Sequence, residues 1–412
     1  MRPVTVSTGS SPERVTVDWA ESGIVALTGH ADGSVVAPPG RGATRARELS
    51  SWMATCAGVD VDGARLLGER AAFDGLRRRG AVSAGGACRL LRSADGWVAV
   101  SCARPDDPPL LGAMIGDDLD AGDPWPAVAE WVRVHDGREL AERAELLGIA
   151  AWPVSSERAT APEVPISLPR SVEGLLVVDF SALWAGPLCA HLLGLAGARV
   201  VKVETPQRPD GARLGNPAFY ALLHHGHESV VLDPRDTADR RAIAALVDAA
   251  DIVIEASRPR ALAGFGLDAE AAAARGTTWI SITAAGRASN RIGFGDDIAA
   301  AAGLIAHDET GAPLFVGDAI ADPLTGLTAA ALAMSRTSGG MLWDISMTEV
   351  VARTLTPEPA PLVRRHGDSW SLDTAIGPIP VAAPTARTPA GSAPESGADT
   401  EHVLRSLRIP VP

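Results

Sequence analysis

The stretch "VGDAIADPLTGLTAAALAM" (316–334) sets Asp318 and Asp322 among small, apolar residues, with no base before Arg336. Two chemistries fit. Asp322-Pro323 is a helix-start signal, because Asp caps free N–H groups and Pro suits the first helical position, where its missing N–H is not needed. Pro323 to Met334 then reads as a buried, Ala-rich helix. Alternatively, a carboxylate at a helix N-terminus stays ionised and, in a small-residue pocket, is a nucleophile toward an activated acyl group. A second acidic pair, Asp296 and Asp297 in "GDD" (295–297), sits at another helix start. Capping explains one of the two; the other is a candidate acid or base. "SAGGA" (83–87), with Gly85 and Gly86, is either a hairpin entry or a lid whose N–H groups meet a developing oxyanion.

Other polar clusters read more plainly. His224, His225 and His227 in "LLHHGHES" have no further ligands converging on them, so the segment reads as a polar loop and no metal is expected. The loop "SALWAGP" (181–187) follows a strand, where dinucleotide enzymes bind phosphate, but it has one glycine where such a turn needs several. Glu204, at the end of the next strand, reads as a solvated strand-end acid.

The elements that must position these groups are clearest between residues 174 and 283. "GLLVVDF" (174–180) is a continuous apolar run, as in a strand buried on both faces. "RVVKVE" (199–204), "SVVLD" (229–233), "DIVIEA" (251–256) and "TWISIT" (278–283) follow, separated by helical stretches at 188–198, 240–250 and 268–276. Strands alternating with helices give right-handed crossovers and a parallel sheet, with ligands at the carboxyl ends of the strands. The loops 181–187, 205–213, 256–260 and 284–295 then line the mouth of a site. Residues 83–155 read as a small α+β domain: a hairpin over 87–103 and two helices over 123–149. The expected divisions are a segment 1–82, this small domain, a Pro-rich linker 156–172, a Rossmann-like sheet domain 173–356, and an extended, partly mobile tail with a closing helix over 357–412. A short echo links "ESGIVALTGHADGSVVAPPG" (21–40) with "AAGLIAHDETGAPLFVGDA" (301–319); the first copy lacks an acid where Asp322 falls.

Totals exclude several classes. A net charge of -13 argues against a nucleic-acid surface. The four cysteines show no paired metal spacing and read as free thiols in a reducing compartment. The N-terminus lacks a signal-peptide core and no apolar run is long enough to span a membrane, so a cytoplasmic protein is expected. The single lysine, Lys202, reads as coding bias rather than chemistry.

The segments 175–206, 228–268, 280–305 and 316–334, with "WDISMTEV" (343–350) as the next strand, resemble class III (family III) coenzyme A transferases, a superfamily that includes the α-methylacyl-CoA racemases. The resemblance implies the fold of that family and a reaction: coenzyme A passes between an acyl-CoA and a carboxylic acid through an aspartyl anhydride and an aspartyl-CoA thioester. It implies Asp322 as the nucleophile, Gly85-Gly86 as the glycine loop over the site, and CoA contacts at Leu183, Trp184, Ala185, Thr205 and Leu232. It also implies a CoA thioester as substrate with no permanently bound cofactor, and an interlocked homodimer. Arg258 and Arg260, with Arg208 and Arg213, are candidates to replace family basic residues that here read as Thr205 and Gly264. The family's small domain follows its sheet domain, whereas here 83–155 precedes it; the chain reads as a circular permutant or as a fusion that lost its ends. Two alternatives stand beside transfer. One is an α-methylacyl-CoA racemase or epimerase, whose "GHD" turn carries a His where this chain has Asp296. The other is a catalytically inactive family member.

Overall fold

The computed structural model describes residues 11–119, 123–155, 166, 168–257 and 259–412. In the small unit, Cys88–Arg92 (β1) pairs antiparallel with Trp97–Ser101 (β2) around a turn closed by the Ser93 N–H to the Gly96 carbonyl at 3.0 Å. Ala151–Pro153 (β3) adds to the other edge of β2. Helices Trp125–Val134 and Gly137–Leu147 bury Val128, Leu140 and Ala144 against Val98 and Val100 of the sheet. A third helix, Asp107–Ile115, was not expected from "DPPLLGAMI". Its two prolines lie in the first turn, where no intrahelical N–H is required, and so start a helix rather than a loop.

The main sheet is built from Leu176–Asp179 (β4), Arg199–Glu204 (β5), Glu228–Val231 (β6), Ile252–Glu255 (β7) and Thr278–Thr283 (β8). After a small antiparallel hairpin, Ile305–His307 (β9) with Pro313–Phe315 (β10), it is completed by Met341–Ser346 (β11). The order is β11-β8-β7-β4-β5-β6 and every pair is parallel. The chain therefore fills one side of β4, then returns to fill the other, and the crevice between β4 and β7 is the switch point where such sheets bind ligands. "WDISMTEV" is only partly a strand: Ser346 caps a helix, Met347–Ala352, by accepting the Glu349 N–H at 3.3 Å.

Alternation along the strands feeds two cores. Val177, Ile252, Ile254 and Ile280 face helices Ala185–Leu195 and Ala321–Ala333. Val178, Val201, Val253 and Trp279 face helices Thr237–Ala249 and Ala269–Ala274. Helix Ala321–Ala333 lies close on Ala185–Leu195 because Gly326 has no side chain: a Cβ there would meet the Ala185 carbonyl at 2.7 Å. Asp322 lies one turn earlier on the same face, which brings it to the N-terminal end of the second helix.

The N-terminal segment repeats part of this arrangement. Helix Pro12–Glu21, a bridge between Gly29 and Val35, and helix Gly42–Ala57 run in the same order as helix Gly295–Ala301, the β9–β10 hairpin and helix Ala321–Ala333. Gly40 (φ 71°) and Gly317 (φ 68°) occupy the same left-handed turn in the two copies, a conformation that a side chain resists. In this register Arg45 falls where Asp322 stands. The copies touch: the Gly317 N–H donates to Thr28 Oγ1 at 3.1 Å.

The C-terminal tail is more structured than its composition suggests. Val363–His366 (β12), Ser369–Thr374 (β13) and Gly377–Pro380 (β14) form an antiparallel sheet. Beyond it the chain runs extended until Asp399 pairs with Ser229 on the outer edge of β6, N–H to carbonyl at 2.9 Å, and helix Thr400–Ser406 buries Val403 and Leu404. The tail covers an edge strand that would otherwise present unpaired N–H and C=O groups.

Candidate functional site

Asp322 does not cap its helix. The helix begins at Ala321 behind Ile320, with no side-chain cap, because the chain turns sharply at Ala319 (φ 44°). The carboxylate points instead across to helix Ala185–Leu195 and to the loop after β8, where the backbone N–H groups of Ala185 and Gly295 favour its charge. A Cβ on Gly295 would lie 2.2 Å from Asp322 Oδ2, so only glycine leaves the carboxylate room. Asp322 keeps part of its surface open to solvent.

Three more carboxylates gather here. Asp318 is fully buried and takes a two-bond fork from Arg70, Nε to Oδ2 at 2.8 Å and Nη2 to Oδ1 at 2.6 Å. Asp296 accepts the Ala319 N–H at 2.8 Å, which ties the "GDD" turn to the bend before Asp322. Asp297 is fully buried; it accepts the Phe294 N–H at 3.1 Å and the Ser101 hydroxyl at 2.5 Å, joining the small domain to the sheet domain. Capping thus accounts for Asp297, while Asp296 faces the site.

Burial dominates their charge. It pushes Asp322 up to about 6, against the pull of the Arg70 guanidinium and the two N–H groups. Burial and the neighbouring Asp318 push Asp296 up to about 7, and burial pushes Asp297 up to about 8. The N–H groups that favour the Asp322 charge belong to Ala185 and Gly295 rather than to its own helix, and they offset only part of the effect of burial. At neutral pH Asp322 is still mostly the carboxylate.

The glycine turn meets this cluster. Gly86 is left-handed (φ 85°), and a Cβ on exposed Gly85 would lie 3.7 Å from Arg70 Nη2 and 3.9 Å from Asp318 Oδ1. Arg70 lies over Trp184, 5.4 Å from the ring. Sequence reading did not single out Arg70. No local motif surrounds it, and its partner is 248 positions away.

The loop after β4 is held from below. Leu183 is left-handed (φ 70°) and 44% exposed, and its N–H is accepted by Asp210 Oδ1 at 3.0 Å. Asp210 Oδ2 is 2.8 Å from Lys202 Nζ, which also bonds the Ser181 carbonyl at 2.8 Å. The single lysine is thus a buried cation fixing a strained loop, and the reading of Lys202 as mere coding bias is corrected. Its place inside the apolar run "RVVKVE" was the available signal. Glu204 is also corrected: it is buried rather than solvated, paired with Arg213 at 2.6 Å and with the Asp210 N–H at 2.8 Å. Arg213 is therefore engaged and not a spare cation for phosphate.

His224 ends a helix, Pro217–His224, while His227 lies in the turn that follows; both are buried, and burial first, then Lys202, holds both well below the ordinary histidine range. Trp184, Ala185 and Leu232 are buried, and Thr205 is half-buried. Arg258 and the Arg260 side chain lie outside the described residues. Among the described residues no group of His, Cys, Asp and Glu is arranged to hold a metal ion, and no helix is long and apolar enough to cross a membrane.

A sequence profile described as CoA-transferase family III matches residues 172–368. That stretch is similar to CoA-transferase family III. The chain is 28% identical to the succinate–glutarate CoA-transferase of Agrobacterium fabrum, over 45% of this chain and 52% of that protein. It is 30% identical to the succinyl-CoA–D-citramalate CoA-transferase of Chloroflexus aurantiacus, over 44% of this chain and 50% of that protein. A solved CAIB/BAIF family protein from Brucella suis is 26% identical, covering 51% of this chain and 65% of that one with a TM-score of 0.44. The chain spans about half the length of the curated relatives it matches.

Proposed function

We propose that this protein moves coenzyme A from an acyl-CoA thioester to a carboxylic acid, with Asp322 as nucleophile. An Asp322 oxygen adds to the thioester carbonyl; the C–O bond forms, the C–S bond breaks, and CoA leaves as thiolate from a mixed acyl-aspartyl anhydride. The thiolate then attacks the aspartyl carbonyl, releasing the first acid as its carboxylate and leaving an aspartyl-CoA thioester. The acceptor carboxylate displaces the thiolate from that thioester, forming a second anhydride. The thiolate finally takes the acceptor's acyl carbon and restores the Asp322 carboxylate. No net proton is consumed, and each step exchanges bonds of similar energy, which is what covalent catalysis offers.

One observation carries this reading: the partly accessible Asp322 carboxylate sits at the switch point of a family III sheet, with Arg70 and the Ala185 and Gly295 N–H groups beside it. The Gly85 N–H is the oxyanion donor in this scheme, since the Gly86 N–H is held by the Ser83 carbonyl at 2.8 Å; Leu183, Trp184, Ala185, Thr205 and Leu232 line the path of CoA, and Arg258 and Arg260 are the candidates for its phosphates. The CoA thioester is a substrate, not a resident group, and the working assembly is an interlocked homodimer in the cytoplasm.

The names of both relatives above contain succinate or succinyl-CoA, so succinyl-CoA is the first donor to try. The test is hydroxylamine trapping after incubation with acyl-CoA. A hydroxamate on Asp322, absent in Asp322→Asn, is the expected result. Transfer that proceeds unchanged in Asp322→Asn would overturn the assignment.

A further inference from the structure

We propose that Arg70, contributed by the N-terminal segment, is the docking group for the acceptor's carboxylate. The proposal rests on the transfer reading above and names the binding contact for its second substrate.

The problem it addresses is electrostatic. An acceptor acid must reach the carbonyl carbon of an Asp322 adduct beside Asp296 and Asp318, the Asp322 charge itself being consumed in the adduct. Like charges that close repel, and partial burial weakens the screening that water provides. A cation must therefore meet the acceptor. Arg70 is the cation that bears on both Asp296 and Asp322.

Its geometry leaves the necessary edge open. Asp318 takes the side edge of the guanidinium, through Nε and Nη2. The end edge, made by Nη1 and the second Nη2 hydrogen, has no acceptor among the described residues. A guanidinium carries five N–H donors, and two adjacent ones match the oxygens of one carboxylate. Asp318, buried, and the Trp184 ring, 5.4 Å away, hold the plane of the group, so the end edge has a fixed direction. The side chain is 30% exposed, enough to admit a small acid. The glycine turn passes close to this group: a Cβ on Gly85 would lie 3.7 Å from Arg70 Nη2 and 3.9 Å from Asp318 Oδ1.

The test compares Arg70→Gln, Arg70→Lys, Asp318→Asn and the double variant Arg70→Gln/Asp318→Asn in the full chain, at pH 8 so that Asp322 is ionised throughout. The double variant removes both halves of a buried ion pair, which guards against unfolding from one orphaned charge. Initial rates are measured against acyl-CoA and against malonate as acceptor. The expected result is a rise in the acceptor KM of roughly 10- to 100-fold in Arg70→Gln and in the double variant, the size of one lost charge-assisted contact. The acyl-CoA KM moves at least tenfold less. Arg70→Lys, which keeps the charge but loses the planar fork, falls between. Asp318→Asn raises the acceptor KM by much less than Arg70→Gln, because the cation remains and the Trp184 ring still bears on its plane.

Two results overturn the proposal. One is a double variant whose acceptor KM stays within threefold of the unaltered protein. The other is an Asp318→Asn variant that loses acceptor affinity as fully as Arg70→Gln, which would make the pair structural. In either case an adduct on Asp322 in the unaltered protein leaves the transfer reading standing. An unaltered protein that forms no adduct takes both readings down together.

Discussion

Gly295→Ala tests whether the room left for the Asp322 carboxylate matters to the chemistry. The added methyl would lie 2.2 Å from Asp322 Oδ2 and 2.4 Å from the Ala319 carbonyl oxygen, at least 1 Å inside the 3.4 Å at which ordinary contact begins. The Ala319 carbonyl belongs to a bend already strained at φ 44°, so the carboxylate is the softer neighbour and yields first. Displacing a reacting group by about 1 Å costs roughly 100-fold in rate. Overpacking adds about 1–3 kcal/mol of destabilisation. The assay is the single-turnover rate of adduct formation on Asp322, read by intact mass, beside a urea unfolding curve for each variant. Gly63→Ala is the control: a methyl there meets the Ala46 carbonyl at 2.0 Å, on the N-terminal helices and away from the acids. Gly63→Ala should lower the unfolding midpoint yet keep the adduct rate, while Gly295→Ala should lower both. A folded Gly295→Ala protein that forms adduct at the unaltered rate would refute the placement of Asp322 as the reacting group.

The pH dependence follows from the same cluster. Adduct formation should rise through an acid limb near pH 6, where Asp322 ionises, and Arg70→Gln should move that limb upward by removing the cation that lowers it. Asp297, pushed up to about 8, holds its proton in the folded state above the pH at which the unfolded carboxyl releases it. Its contribution to stability is therefore full below about pH 4 and is lost as pH rises through 8, with a slope of at most about 1.4 kcal/mol per pH unit. Asp297→Asn should flatten the urea midpoint between pH 5 and pH 8; an unchanged slope counts against a protonated Asp297. Lys202→Met leaves Asp179 and Asp210 buried without their cation and should cost about 3–5 kcal/mol in chemical denaturation, part of it recovered when Asp210→Asn is added. Arg387 forks onto buried Glu69 at 2.8 and 2.9 Å and ties the tail to the N-terminal segment; Arg387→Ala should open the segment 381–398 to limited proteolysis, and equal resistance would show that the edge contacts at β6 suffice.

Local order set much of this molecule. Runs such as "GLLVVDF" and "DIVIEA" are apolar on both faces, and a strand of that kind has stable company only within a covered parallel sheet, so the sheet and the loops at its carboxyl ends were readable before any coordinates. Asp322, the "GDD" turn and Gly85-Gly86 stood out for a similar reason: acids and paired glycines are costly among small apolar residues unless something uses them. Tertiary structure decided the rest. Whether Asp322 caps a helix or faces a site depends on how closely helix Ala321–Ala333 can approach Ala185, which Gly326 permits. Arg70 and Asp318 meet across 248 residues, and Lys202 reaches Asp210 and Ser181 only once the sheet has closed around it. The raised carboxyls of Asp296, Asp297 and Asp322 arise because burial and proximity act through space, and neither is a property of neighbours along the chain.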